Sequence, residues 1–154
     1  MLAQCKFTPY PAPMREELPS CRSHCPISYA LDFVGDRWTL IVLRDLILAR
    51  KRHFQEFLDS QEKIATNILA SRLKQLEAAG LVKRTVDPRH ARRVVYTPTE
   101  KALDLLPTIL ELVRWGAKYD AKSDAPAHLI KGIAKDRDGF VAEVRSQHVK
   151  ARSR

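Results

Sequence analysis

The stretch IATNILASRLKQLEAAG (residues 64–80), continued without a break by LVKRTVDPRHARRVVYT (residues 81–97), decides how the chain folds. In the first half Ile64, Ile68, Leu69, Leu73 and Leu76 recur at helical spacing, which predicts an amphipathic helix from about Ala65 to Ala79. Gly80 supplies its left-handed stop. The other face carries Thr66, Asn67, Ser71, Lys74 and Gln75, all short or basic hydrogen-bonding groups. Past Gly80 the apolar period falls to two. Residues 81–86 and 93–97 read as β-branched strands around Asp87-Pro88-Arg89-His90-Ala91-Arg92, a hairpin with a basic tip. Between Lys83 and Arg93, five cations (Lys83, Arg84, Arg89, Arg92, Arg93) meet one acid, Asp87, a local balance of +4.

Upstream, Ile27, Ala30, Leu31 and Val34 predict a short helix closed by Gly35. Asp36 is the expected cap of a second helix, whose register Trp38, Ile41, Val42, Asp45 and Leu46 set. Leu40, Leu43 and Ile47 widen its apolar face, so deep burial is expected, with Trp38 as a core anchor. A basic knot at residues 50–53 separates it from a short helix pinned by Phe54, Phe57 and Leu58. Downstream, Thr99 caps a long helix with Leu103, Leu106, Leu110, Val113 and Ala117 on one stripe, bent by Pro107. Residues 122–154 read as one or two shorter helices, with Leu129, Ile130 and Ile133 on one face and Phe140, Val141 and Val144 on another. Gly139 is the expected break, and the end reads as a frayed basic tail. The first residues, broken by Pro9, Pro11, Pro13 and Pro19, read as an arm.

With 154 residues, 45% hydrophobic and 29% charged, the chain has ordinary globular composition, which excludes collagen-like, low-complexity and wholly disordered readings. Its formal charge of +9 points to a polyanion partner. The most apolar run, Trp38 to Ala49, is interrupted by Arg44 and Asp45 and falls short of the ~20 residues a spanning helix needs. No membrane partner is expected, and the start lacks a signal-peptide core, so a cytoplasmic location is expected. Three cysteines, Cys5, Cys21 and Cys25, are an odd count for a disulfide framework and are expected as thiols.

Three helices followed by a basic hairpin is the layout of a winged helix-turn-helix, a mainly α fold with a small β wing. Short polar groups on an exposed helix face can reach base edges in the major groove of double-stranded DNA. Thr66, Asn67, Ser71 and Lys74 are the candidates for that contact, and Arg72 for phosphate contact or for bracing the helix. On the wing Arg89, His90, Arg92 and Arg93 are placed to grip the backbone or an adjacent minor groove.

The chain resembles the HxlR family of winged helix-turn-helix transcriptional regulators over about Cys25 to Tyr119. Cys25-Pro26-Ile27, Leu31-Asp32-Phe33-Val34-Gly35-Asp36-Arg37-Trp38-Thr39 and Leu43-Arg44-Asp45-Leu46 begin the likeness. Phe54-Gln55-Glu56-Phe57, residues 64–73, Leu76-Glu77, Gly80-Leu81-Val82 and Trp115-Gly116 complete it. The resemblance implies a homodimeric cytoplasmic regulator, expected as a repressor of a pseudo-palindromic operator. It also implies that the helix after Thr99 builds the dimer, with Leu103, Leu106, Leu110, Val113 and Trp115 as its interface. The expected division is an arm at 1–24, a DNA-binding core at 25–98, a long dimerisation helix at 99–121, and a helical extension at 122–154 that outruns the usual family end.

Many members of this family look like sensors of oxidants or electrophiles through a cysteine just before the first helix, the position of Cys25. A helix N-terminus favours thiolate there. Cys21, four residues away, could act as a resolving thiol, and a small-molecule or electrophile effector is the corresponding partner. The alternative for Cys25 is a half-buried structural thiol. The segment from Cys21 through His24 to Cys25 lacks the second ligand pair of a zinc site, so no metal and no cofactor are expected. His53, His90, His128 and His148 are scattered and read as solvent-facing, or as backbone-contacting for His90. Without a phosphate loop, a nucleophile elbow or a zinc-protease motif, the chain is not expected to be an enzyme. The rival reading is a winged-helix module that binds a protein and no DNA.

Overall fold

The computed structural model describes residues 24–87 and 90–152, so the arm to residue 23, with Cys5 and Cys21, and Arg89 on the wing lie outside the described residues. The order is α1 (Pro26–Val34), α2 (Arg37–Ile47), α3 (Phe54–Leu58), α4 (Thr66–Ala78), β1 (Val82–Asp87), β2 (His90–Pro98), α5 (Glu100–Leu103), α6 (Leu106–Tyr119), α7 (Ala127–Lys135) and α8 (Arg137–Arg152). It is mainly α with one antiparallel hairpin, as the sequence pattern implies.

Local chemistry starts and stops these elements. Asp36 caps α2: its Oδ1 accepts the amide protons of Trp38 (3.0 Å) and Thr39 (3.1 Å), and its Oδ2 accepts from the Thr39 hydroxyl. These bonds satisfy donors that a helix start leaves unpaired. Gly80 ends α4 at φ 68°. The amide of Leu81 donates to Leu76 (2.9 Å) and that of Gly80 to Glu77 (2.9 Å), the paired bonds of a Schellman stop that only glycine adopts without strain. The hairpin pairs Val82 with Pro98 and Lys83 with Thr97, running to Val86 with Val94 before a register shift ahead of Asp87. Thr99 caps α5 by accepting from Ala102 (3.3 Å) and donates its hydroxyl to the Gly80 carbonyl (2.7 Å), tying the wing's exit to the end of α4.

One core joins all this. Val42, Leu43, Leu46 and Ile47 of α2 pack with Leu69, Leu73 and Leu76 of α4, with Leu103, Leu106 and Leu110, and with Ile133 and Val144 of the C-terminal pair. Trp38 is half-buried at its margin, with the Arg37 guanidinium 5.1 Å from its ring centre. The single long helix expected after Thr99 is instead two, α5 and α6. Pro107 sits in the first turn of α6. There its missing N–H costs nothing, whereas a continuous helix would need that proton and would press the ring onto the preceding turn. A second expectation changes with it. Leu103, Leu106 and Leu110 have no exposed surface; they line this chain's own core and cannot meet another copy.

The extension is likewise integral. Its break falls at Asp136, whose Oδ1 accepts the amide of Gly139 (2.9 Å), so Gly139 lies inside α8 and the expected frayed tail is helical to Arg152. Arg145 pairs with Asp104 and with Glu100 (3.3 Å) on α5. His148, expected in solvent, is 2% exposed. Its Nδ1 lies 3.0 Å from Arg52 Nη2 and its Nε2 lies 2.8 Å from the Ile47 carbonyl. A guanidinium only donates, so Nδ1 accepts, Nε2–H donates to the carbonyl, and the ring is neutral. The bond also satisfies a carbonyl left open at the end of α2.

Candidate nucleic-acid interface

Helix α4 divides cleanly between two duties. Leu69, Leu73 and Leu76 are buried, while Thr66, Asn67, Ser71 and Lys74 are all exposed. At 3.6 residues per turn the four polar residues fall within an arc of about 140°, centred about 120° from the leucine stripe. Short side chains near the helix N-terminus leave the backbone close to whatever docks there. Arg72 is half-buried: its Nε is 3.0 Å from Asp36 Oδ1 and it also bonds Gln75. That contact has ion-pair distance without hydrogen-bond alignment, so it locks α4 to the cap of α2 by charge. Burial pushes the Asp36 carboxyl up, but the Thr39 and Trp38 hydrogen bonds and the Arg72 charge outweigh it and hold the group below its usual range.

The wing follows two residues after Gly80. Lys83, Arg84, His90, Arg92 and Arg93 are exposed along its strands. Its base is fixed by the basic knot. The Arg52 carbonyl accepts the amide of Tyr96 (2.8 Å), and His53 Nδ1 lies 3.0 Å from the Val94 carbonyl, so this segment is held against β2. Glu56 closes the corner by accepting from the amides of Arg52 (2.6 Å) and His53 (2.9 Å). Desolvation opposes its charge, yet these bonds and the Arg93 charge keep its carboxyl below the usual range.

A charged cluster braces the loop leading into α4. Asp45 is 3% exposed and accepts from Arg44 Nε (2.9 Å), Lys51 Nζ (2.8 Å) and the Ser60 hydroxyl, while Arg44 also clasps Glu62. The left-handed backbone of Arg50 (φ 56°) turns the chain so that Lys51 can reach inward. The Arg44 hydrogen bond holds the Glu62 carboxyl down at about 2, and raises the guanidinium in turn. A carboxyl lowered on folding contributes stability above its unfolded value and loses it as pH falls through the folded one. Replacing Glu62 by Gln is therefore expected to cost about 1 kcal/mol at pH 7, the small figure reflecting solvent screening at Arg44. In urea melts the gap between the two proteins should close as pH falls from 4.5 toward 2.

Helix α1 has no buried residue: Ile27 is 71% exposed, and Leu31 and Tyr29 are exposed beside it. On α6 the side away from the core presents Trp115 (64% exposed) and Tyr119 (65%), ring centres 5.2 Å apart. Of the interface residues expected on this helix, Val113 is half-buried against the core and Trp115 alone stands out. The spacing of Leu112, Trp115 and Tyr119 was the available signal for a second apolar stripe. Cys25 is exposed at the N-cap of α1, directly before Pro26, and its side chain makes no capping bond. No helix among the described residues is long and apolar enough to cross a membrane.

The family model described as HxlR-like helix-turn-helix matches residues 33–124. The HTH-type transcriptional regulator YdeP of Bacillus subtilis is 37% identical over 100 residues, covering 65% of this chain and 77% of that one. Among solved structures, the redox regulator HypR in its oxidized form is similar with a TM-score of 0.57 and 31% identity, over 62% of this chain and 98% of that one. The reduced form of the transcriptional regulator YodB from B. subtilis is similar with a TM-score of 0.52 and 30% identity, over 66% of this chain and all of its own.

Proposed function

This chain belongs to the HxlR-like helix-turn-helix family of transcriptional regulators, and we propose that it works as a homodimer that binds a pseudo-palindromic DNA operator and represses transcription. The observation that carries this reading is the exposed polar edge of α4, backed by a buried leucine stripe and followed at once by a cationic wing. Thr66, Asn67, Ser71 and Lys74 meet base edges or phosphates in the major groove, and Arg89, His90, Arg92 and Arg93 hold the backbone or minor groove alongside. Residues 25–98 form the DNA-binding core.

The dimer is supported by the apolar faces that no part of the described chain covers, on α1 and at Trp115 and Tyr119 of α6. Apolar patches of that kind mark interaction surfaces, and a two-fold pair places two reading helices about one DNA turn apart, near 34 Å. Occupying an operator in this way excludes other proteins from the same DNA. Cys25 is the redox-responsive group in this reading. It is an exposed residue at the N-cap of α1, and HypR, a relative by structure, is a redox regulator. Oxidation or alkylation there would disturb α1 and so the spacing of the two reading helices.

Fluorescence anisotropy on duplexes from the upstream region tests the DNA reading. Six or more phosphate contacts predict a loss of about a thousandfold in affinity between 50 and 200 mM salt. Asn67→Ala should lower affinity for the preferred duplex by about 1–3 kcal/mol and leave non-specific binding in place, whereas Arg92→Ala should weaken all duplexes alike. Absence of duplex binding at 50 mM salt would leave the protein-docking module instead.

A further inference from the structure

We propose that the cleft between the end of α2, α6 and the α7–α8 pair is a binding site for a lipophilic organic cation. The cleft encloses about 950 Å³. That is the scale of sites that take small molecules. Its apolar lining includes Ile47, Val113, Leu129, Phe140 and Val144. Gly116, in the last turn of α6, also lines it, and a Cβ there would meet nothing within 4 Å. A glycine inside a helix costs about 1 kcal/mol against alanine. Among the described residues no neighbour requires it to be small, and its effect is to keep the helix wall low where the cleft passes.

Charge selects the occupant. The lining includes six carboxylates (Asp45, Asp59, Glu62, Asp120, Asp124, Glu143) against Arg44, Arg50 and Lys51, a balance of −3 in a chain of +9. Arg44 and Lys51 are already spent on Asp45 and Glu62. Among the described residues Asp59, Asp120, Asp124 and Glu143 form no ion pair. An anion is repelled by such a rim and a neutral lipophile gains nothing from it. A cation with an apolar body matches both wall and rim. The far wall, from Leu129 to Gln147, lies beyond the residues matched by the family model, so the extension of this chain completes a cleft whose other wall belongs to the shared fold.

Isothermal titration calorimetry on the full chain, with methyltriphenylphosphonium and its neutral near-isostere triphenylphosphine oxide, tests this. The cation should bind once per chain and at least about tenfold more tightly than the oxide. Asp124→Asn combined with Glu143→Gln, both exposed and outside the core, should bring the preference below about threefold without moving the thermal midpoint. Gly116→Phe should abolish binding of both compounds. Equal or absent binding of the two probes, or cation binding that the double substitution leaves unchanged, would overturn the assignment.

Discussion

Replacing Trp115 and Tyr119 together by Glu is expected to yield a folded monomer that has lost at least about a hundredfold in operator affinity. Both side chains stand nearly two-thirds exposed, so their removal leaves the core of the single chain untouched. In a two-fold dimer every substitution acts twice, and a buried aromatic is the residue type whose loss costs an interface about 2 kcal/mol or more. Four carboxylates brought to one apolar contact add desolvation and mutual repulsion to that loss. The DNA consequence is a matter of valency: two linked reading helices bind about 10²–10⁴ times more tightly than either alone. Sedimentation velocity and anisotropy on the same preparation check both halves. A variant that still sediments as a dimer would remove this face of α6 from the interface.

The second large effect is at Asp45. Asp45→Asn is expected to lower unfolding free energy by about 3 kcal/mol, or roughly 10 °C in Tm. The carboxylate is almost wholly buried and takes protons from Arg44, Lys51 and Ser60, so a neutral amide leaves two cations facing a group that now donates. The figure sits at the low end for a broken buried pair because Arg44 and Lys51 retain part of their solvent. The same bonds position residues 59–63, which lead into α4, so DNA affinity should fall more than at Glu62→Gln. Urea unfolding monitored at the tryptophans measures the first effect. A change under about 1 kcal/mol would mean the cluster contributes little beyond a surface ion pair.

The elements that the sequence determined by itself are those whose causes are local. Asp36 and Thr99 accept protons from amides two or three positions on, and Gly80 takes a left-handed backbone that its own missing Cβ permits. The leucines and the polar edge of α4 are separated by helical period alone. Burial of a helix rich in apolar residues on several sides is a different matter. Which stripe of α5 and α6 turns inward depends on what packs there, and α7 and α8 contribute Ile133 and Val144 to the shared core. Leu103, Leu106 and Leu110 were thereby committed to the interior, and Trp115 and Tyr119 left outside. His148 shows the same dependence for a polar group. An imidazole is buried only where its two nitrogens find partners, and these, at Arg52 and Ile47, lie 96 and 101 residues away along the chain. The cleft beside them exists only because the extension folds back, so tertiary structure alone decided that it would be there.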